Sequence, residues 1–176
     1  LLILERKKEN MLDENVLKVL NELKSYKDRG LEVPPVTFHC LGEPLMNPNL
    51  KKYMSFCDDN DIFYWTVSNG LLFSNNRCDE LFSHKNLIKL ELSVHTICDR
   101  TFSSLRGMKK FDFQKYILLI KNAVFIKTRI DNNIPIQLDV MYDKNLENGR
   151  IFNAFNKEEF RSFCQSMEQW AEELEE

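Results

Sequence analysis

Three short polar segments carry residue types that could do chemistry: Leu41-Gly42-Glu43-Pro44, Ser68-Asn69-Gly70 and Ser93-Val94-His95. Each ends an apolar run and leads into a loop or helix, so each falls where a strand stops. In parallel α/β folds the C-terminal ends of strands are where ligands sit. Gly-Glu-Pro alone is short and arises by chance in many chains; the junctions that follow it at regular intervals give it weight. Simpler roles are open for the other residues: Gly70 making a turn, Asn69 capping it, Ser93 being tolerated there. His39 and His95 flank these segments, and a hydrogen-bonded histidine accounts for either as well as proton transfer does. Cys98 is a single candidate for thiol chemistry.

The five cysteines, Cys40, Cys57, Cys78, Cys98 and Cys164, are widely scattered. None shows the close ligand spacing of a zinc or iron–sulfur site. Free thiols packed as small apolar residues in a reducing compartment are expected. The chain has no Gly-x-Gly-x-x-Gly, Walker loop, Gly-x-Ser-x-Gly elbow or His-Glu-x-x-His.

The elements that must position these segments follow from hydrophobic period. Val16, Leu20 and Leu23 recur at helical spacing between Asp13, a plausible N-cap, and Gly30, a plausible C-cap. Pro34-Pro35 stops that helix and leads into a strand at Val36–Cys40. Asn47 with Pro48 is placed to start a second helix, striped by Leu50, Tyr53, Met54 and Cys57. Ile62–Val67 is a continuous apolar run expected to be covered on both faces. A short helix around Arg77–Ser83 turns Cys78, Leu81 and Phe82 inward. Leu87–Val94 alternates, with Ile88, Leu90, Leu92 and Val94 on one face and Lys89, Glu91 and Ser93 on the other. Ile134–Tyr142 repeats the pattern with Gln137 and Asp139 on its polar side. Between them a helix from about Asp112 to Lys127 is striped by Phe113, Ile117, Ile120 and Val124. A last helix from Lys157 carries Phe160, Phe163, Cys164, Met167, Trp170 and Leu174.

The order αβαβαβαβα in 176 residues predicts one domain with a mostly parallel sheet wrapped by helices. Polar inner faces on two strands suit a partial, open (β/α) barrel with a wet cavity, and equally an edge strand with one solvated face. A hydrophobic fraction of 43% and a charged fraction of 29% are those of a soluble globular protein. The net charge of −3 argues against a general affinity for nucleic acid. Much of the excess sits between Lys157 and Glu176, with two basic and seven acidic residues. No apolar run approaches the ~20 residues of a membrane span. Leu1–Leu4 is too short for a signal-peptide core, so a cytoplasmic location is expected.

Taken in order, the three segments and Leu105-Arg106-Gly107 before a helix resemble the radical SAM superfamily. Its core is a partial (β/α) barrel with Gly-Gly-Glu-Pro, Thr/Ser-Asn-Gly and Ser-x-Asp motifs at successive strand ends. Phe111 or Phe113 after the Arg-Gly, and Asn145 past the Gln137–Tyr142 strand, also fit. The resemblance spans roughly Met11 to the C-terminus; each motif is weak and their order gives the match its weight. It implies that Leu41, Gly42, Glu43 and Pro44 meet the ammonium of S-adenosylmethionine. Ser68 and Asn69 would lie near the ribose or methionine, and Ser93 near the ribose or carboxylate. It further implies reductive cleavage to a 5′-deoxyadenosyl radical, a small-molecule or peptide substrate, and an external electron donor such as flavodoxin or ferredoxin. Ser93-Val94-His95 is similar to the Ser-Leu-His of RNA-methylating members, but the acidic charge and Arg106-Gly107 favour peptide or small-molecule members.

Two departures stand out. Leu41 replaces the first glycine of Gly-Gly-Glu-Pro, and His95 the acidic residue of Ser-x-Asp. The family's Cys-x3-Cys-x2-Cys loop, whose thiolates hold a 4Fe–4S cluster, does not occur; the first cysteine is Cys40, already on a later strand. The expectation is a radical SAM core whose first strand and cluster loop lie upstream of Leu1. The rivals are a cluster-free relative acting as a binding or scaffold protein, and a cofactor-independent α/β transferase.

Overall fold

The computed structural model describes residues 10–39, 42–95, 112–130 and 133–140, with four helical positions near the C-terminus, Arg161, Ser162, Gln165 and Gln169. The main helices are α1 (Asp13–Asp28), α2 (Leu50–Asp59), α3 (Asn75–Phe82) and α4 (Phe113–Arg129). The strands are β1 (Val36–Thr37), β2 (Tyr64–Ser68), β3 (Leu87–His95) and β4 (Ile136–Val140). They form one open sheet in the order β1-β2-β3-β4, every neighbouring pair parallel. Successive strands pair with one another across helical crossovers, without the order reversal of a doubly wound sheet. The fold is α/β, and its strand order is compatible with a partial, open (β/α) barrel.

Register partners in a parallel sheet share a face. On one face Thr66 and Ser68 align with Leu90 and Leu92, which align in turn with Ile136 and Leu138. Leu20 of α1, Tyr53 and Cys57 of α2, Phe82 of α3 and Tyr116 and Ile120 of α4 close over this face in a single core. Each such aliphatic or aromatic side chain contributes about 1.5–3 kcal/mol by leaving water. On the opposite face Trp65 aligns with Lys89, Glu91 with Gln137, and Ser93 with Asp139. The polar row expected from alternation therefore lies on the face away from the core.

Local chemistry explains the element ends and several shifts from expectation. α1 starts at Asp13 with Leu12 before it, so Asp13 lies inside the first turn and is not the cap. Its carboxylate instead takes Lys52 Nζ at 2.6 Å and Tyr53 Oη at 2.7 Å, tying α1 to α2. At the other end Gly30 has φ +76°, and its N–H and that of Leu31 return to the Lys27 and Tyr26 carbonyls. That is the left-handed glycine closure expected of a helix C-terminus. α2 begins at Leu50, later than Asn47-Pro48 would place it, because Asn47 Oδ1 takes the Asn49 N–H at 2.9 Å and forms a turn first.

β1 is only Val36–Thr37, shorter than the expected Val36–Cys40. The Ile62–Val67 run is not covered on both faces throughout: Phe63 is 48% exposed and β2 starts at Tyr64. A register irregularity at Tyr64/Trp65 sets Leu87 opposite Tyr64 and Lys89 opposite Trp65. Leu87 is therefore buried and Ile88 exposed, contrary to simple alternation, since an extra residue in a strand reverses the side on which its neighbours fall. The buried stripe of α4 is Phe113, Tyr116, Ile120, Ala123 and Ile126, rotated from the expected one. Small Ala123 and the long Tyr116 fit the contact, while Ile117 and Val124 sit on its flank. The core side chains expected on the last helix lie outside the described residues, as do Cys40, Leu41, Cys98, Arg106-Gly107, Phe111 and Asn145.

Candidate functional site

Residues 42–44 and 68–70 meet at the C-terminal end of the sheet, and Glu43 joins them. After β1 the chain turns through Gly42 and Glu43 into a short 3-10 turn at Pro44–Met46. Pro44 suits the first position of that turn, where its missing N–H loses nothing. Glu43 Oε1 takes the Leu45 N–H at 3.2 Å and the Ser68 hydroxyl at 2.9 Å. Glu43 Oε2 takes the Asn69 N–H at 2.7 Å. One carboxylate thus locks the loop after β1 to the loop after β2.

Ser68 is 2% exposed, and its Oγ also accepts the Gly70 N–H at 3.0 Å. Its hydroxyl is committed within the fold. Asn69 is half-buried; its Oδ1 takes the Leu71 N–H at 2.9 Å, and its backbone carbonyl takes the Tyr116 hydroxyl at 3.0 Å. Gly70 has φ +73°, a conformation that favours glycine. A Cβ there would stand 3.5 Å from Tyr116 Cε2, with Ile120 and Phe73 next. The Glu43 carbonyl is itself occupied by the Met46 N–H at 3.0 Å. Pro44 O likewise accepts the Asn47 N–H at 2.9 Å. Gly42 is exposed with open space around it.

A cleft of about 330 Å³ opens beside this turn. Thr37, His39, Gly42 and Glu43 line it together with Met11 just before α1 and the apolar α1 residues Val16 and Val19. Thr37 and His39 are exposed and Phe38 turns the other way, edge-on to Tyr64 at 5.4 Å between centroids. Val36 and Phe38 donate their N–H groups to Phe63 and Trp65 carbonyls. Thr37, between them, directs its backbone groups to the other edge, which has no partner strand among the described residues.

Ser93 sits one residue beyond the level of Ser68, on the opposite face of the sheet. The structure therefore brings Gly42, Glu43, Pro44, Ser68 and Asn69 together and sets Ser93 with a different group. In that group Lys89 Nζ meets Glu91 Oε2 at 2.9 Å and Gln137 Oε1 at 3.4 Å, and lies 4.0 Å from the Trp65 ring centroid. Gln137 Nε2 continues the chain to Asp139 Oδ1 at 3.0 Å. An ammonium over an indole with a carboxylate partner is a stable polar cluster on an otherwise apolar sheet.

Sequence reasoning missed four participants. Tyr116 reads as one apolar residue among many on α4. Trp65 falls inside a run expected to be core. Asp58 and His84 form a third group at the far end of the sheet: His84 Nδ1 meets Asp58 Oδ2 at 2.6 Å, and Asp58 Oδ1 accepts the Asn86 N–H at 3.0 Å. The Tyr64 hydroxyl beside them is buried without a hydrogen-bond partner, and burial pushes its pKa up. Only a Gly-Glu-Pro followed by a Ser-Asn-Gly at the next strand end could have signalled the Glu43 bridge.

Among the described residues no group of three His, Cys, Asp or Glu side chains is placed to hold a metal ion. Cys57 and Cys78 are buried, and burial pushes their thiols up to about 12 and about 11. Neither suits a thiolate ligand, so the described residues do not fit an iron–sulfur cluster. No helix among them is long and apolar enough to cross a membrane. No protein-family model matches the chain, and no curated protein matches it.

Proposed function

We propose that this chain is part of a radical SAM enzyme core, binding S-adenosylmethionine at the ends of β1 and β2. The observation that supports the reading most is the Glu43 bridge. It joins the Gly-Glu-Pro and Ser-Asn-Gly segments, found first as separate motifs, into one rigid rim beside an open cleft. The Gly42 carbonyl is the acceptor left for an ammonium, and Leu41 would contribute beside it. Glu43 and Ser68 shape the rim through each other, Pro44 sets its direction, and Asn69 would meet the ligand from the loop after β2. Ser93 belongs to the polar face of β3 and would act there, toward the ribose, carboxylate or a substrate. A 4Fe–4S cluster would supply the electron for cleavage, and its thiolates would come from outside the described residues. A small-molecule or peptide substrate, an external donor such as flavodoxin or ferredoxin, and a cytoplasmic setting complete the reading.

The test is anaerobic reconstitution of the chain alone and of the chain with its native upstream segment. The chain alone should hold no cluster; the extended protein should hold one and form 5′-deoxyadenosine under reduction. Cluster assembly and cleavage by the chain alone would overturn the placement of the ligands. The complete bonding of Glu43 and Ser68 within the fold favours a second reading, a cluster-free binding or scaffold protein. An extended protein that lacks the cysteines and cleaves nothing would establish it in place of the enzyme.

A further inference from the structure

Asn69 has four polar groups, and the fold occupies three of them. Its backbone N–H goes to Glu43 Oε2 at 2.7 Å, its carbonyl to the Tyr116 hydroxyl at 3.0 Å, and its Oδ1 to the Leu71 N–H at 2.9 Å. A peptide N–H can only donate, so the side-chain atom facing Leu71 is the oxygen. What remains is Nδ2, a donor with two hydrogens, on a half-buried residue bonded through its backbone to Glu43, which lines the cleft. Tyr116 is 0% exposed and its ring lies against Gly70, where an added Cβ would be 3.5 Å from Cε2. The phenol therefore cannot swing away without opening the core, and it keeps the Asn69 carbonyl turned inward.

We infer that Tyr116 is the positioning residue of this site, holding the turn so that Asn69 meets a ligand only as a hydrogen-bond donor. Asn69 then selects an oxygen acceptor, a carboxylate or a sugar hydroxyl, and rejects a cationic group. A cation at the same rim belongs on the Gly42 carbonyl, so the two loops divide the ligand by polarity. The inference rests on the site being one for S-adenosylmethionine, which carries both kinds of group.

Titration of the whole chain with S-adenosylmethionine and S-adenosylhomocysteine to millimolar concentration, followed by amide nuclear magnetic resonance, tests it. In the wild type the Asn69 side-chain NH₂ signals should move on binding. Asn69→Ala should weaken binding about tenfold, the worth of one hydrogen bond to a charged or polar group. Asn69→Asp keeps the acceptor for Leu71 and replaces the donor with a carboxylate, so it should weaken binding of both ligands at least as much. Tyr116→Phe keeps the ring and should weaken binding about threefold to tenfold in the wild type, with little further loss in the Asn69→Ala background. Additive losses would make Tyr116 a structural residue only and overturn its positioning role. Tighter binding by Asn69→Asp would place a cation there and overturn the polarity; that variant reads out even if Tyr116→Phe fails to fold. No binding by the wild type would overturn the S-adenosylmethionine assignment itself, whereas wild-type binding with additive losses overturns this inference alone.

Discussion

At the residue scale Glu43 shows how little a side chain's type says about its use. A carboxylate at a strand end invites a ligand, yet here it accepts three hydrogen bonds from Leu45, Ser68 and Asn69. Removing it leaves two half-buried N–H groups and a buried hydroxyl without their acceptor, which costs about 1–3 kcal/mol. Glu43→Ala should lower the urea midpoint by that order, and Glu43→Gln by less, since one oxygen still accepts. An unchanged midpoint in Glu43→Ala would show that the bridge is not a stabilising contact. The thiols make a separate prediction. Folding raises Cys57 from an ordinary value of 9.0 to about 12 and Cys78 to about 11, in each case chiefly by burial. The native state then holds protons that the unfolded chain releases above pH 9, so stability should fall as pH rises from there toward 11. Urea titrations between pH 8 and 11 should show the decline, and Cys57→Ala should reduce it. The motifs were legible because their types and order survive in the sequence. The partners were not, because Tyr116 lies 47 positions from Asn69 and no local pattern relates them.

At the scale of elements, the sequence located every described α-helix and strand but not the 3-10 turn at Pro44–Met46, nor every face or end. Helical and strand periods mark which residues are apolar, and packing then selects among them: α4 turns Tyr116 and Ala123 inward over Ile117 and Val124. The irregularity at Tyr64/Trp65 was equally hidden, since it depends on the pairing of two strands. One junction between elements has a clear energetic role. Asp58, in the last turn of α2, ties itself to His84 and to the Asn86 N–H just before β3. Asn86 Nδ2 returns to the Cys57 carbonyl at 3.0 Å. With His84 and Asp58 only 9% and 15% exposed at their side chains, water cannot replace the lost partner. Asp58→Ala should destabilise the fold by about 1–3 kcal/mol, measurable by chemical denaturation. The double variant with His84→Ala should lose less than the sum of the two single changes.

For the molecule as a whole, the two ends of the sheet have different duties. The Asp58–His84–Asn86 network closes the end where the strands begin, and the Glu43 bridge shapes the end where they stop. Parallel α/β folds place ligands at the ends where strands stop, so under the proposed function only variants at that end should change affinity beyond their effect on stability. Changes at Asp58 should move stability with affinity for S-adenosylmethionine held once folding is corrected for, and Asn69→Ala should lower that affinity after the same correction. Parallel loss of both quantities at both ends would contradict this division. The polar face bearing Trp65, Lys89, Glu91, Gln137 and Asp139 was foreseeable from alternation alone. Its indole was not, because Trp65 sits in a continuous apolar run.

The strand order matches the order of synthesis. β1, β2, β3 and β4 pair in sequence, so each strand leaving a ribosome finds its neighbour already made. Chains emerge during synthesis at about 5–20 residues per second, N-terminus first, and pairing with the preceding strand keeps each loop closure short. A nascent chain released after Ile130 should already protect the β2 and β3 amides that pair with each other from hydrogen exchange. Protection that appears only when β4 has been added would show instead that the sheet forms in a single step.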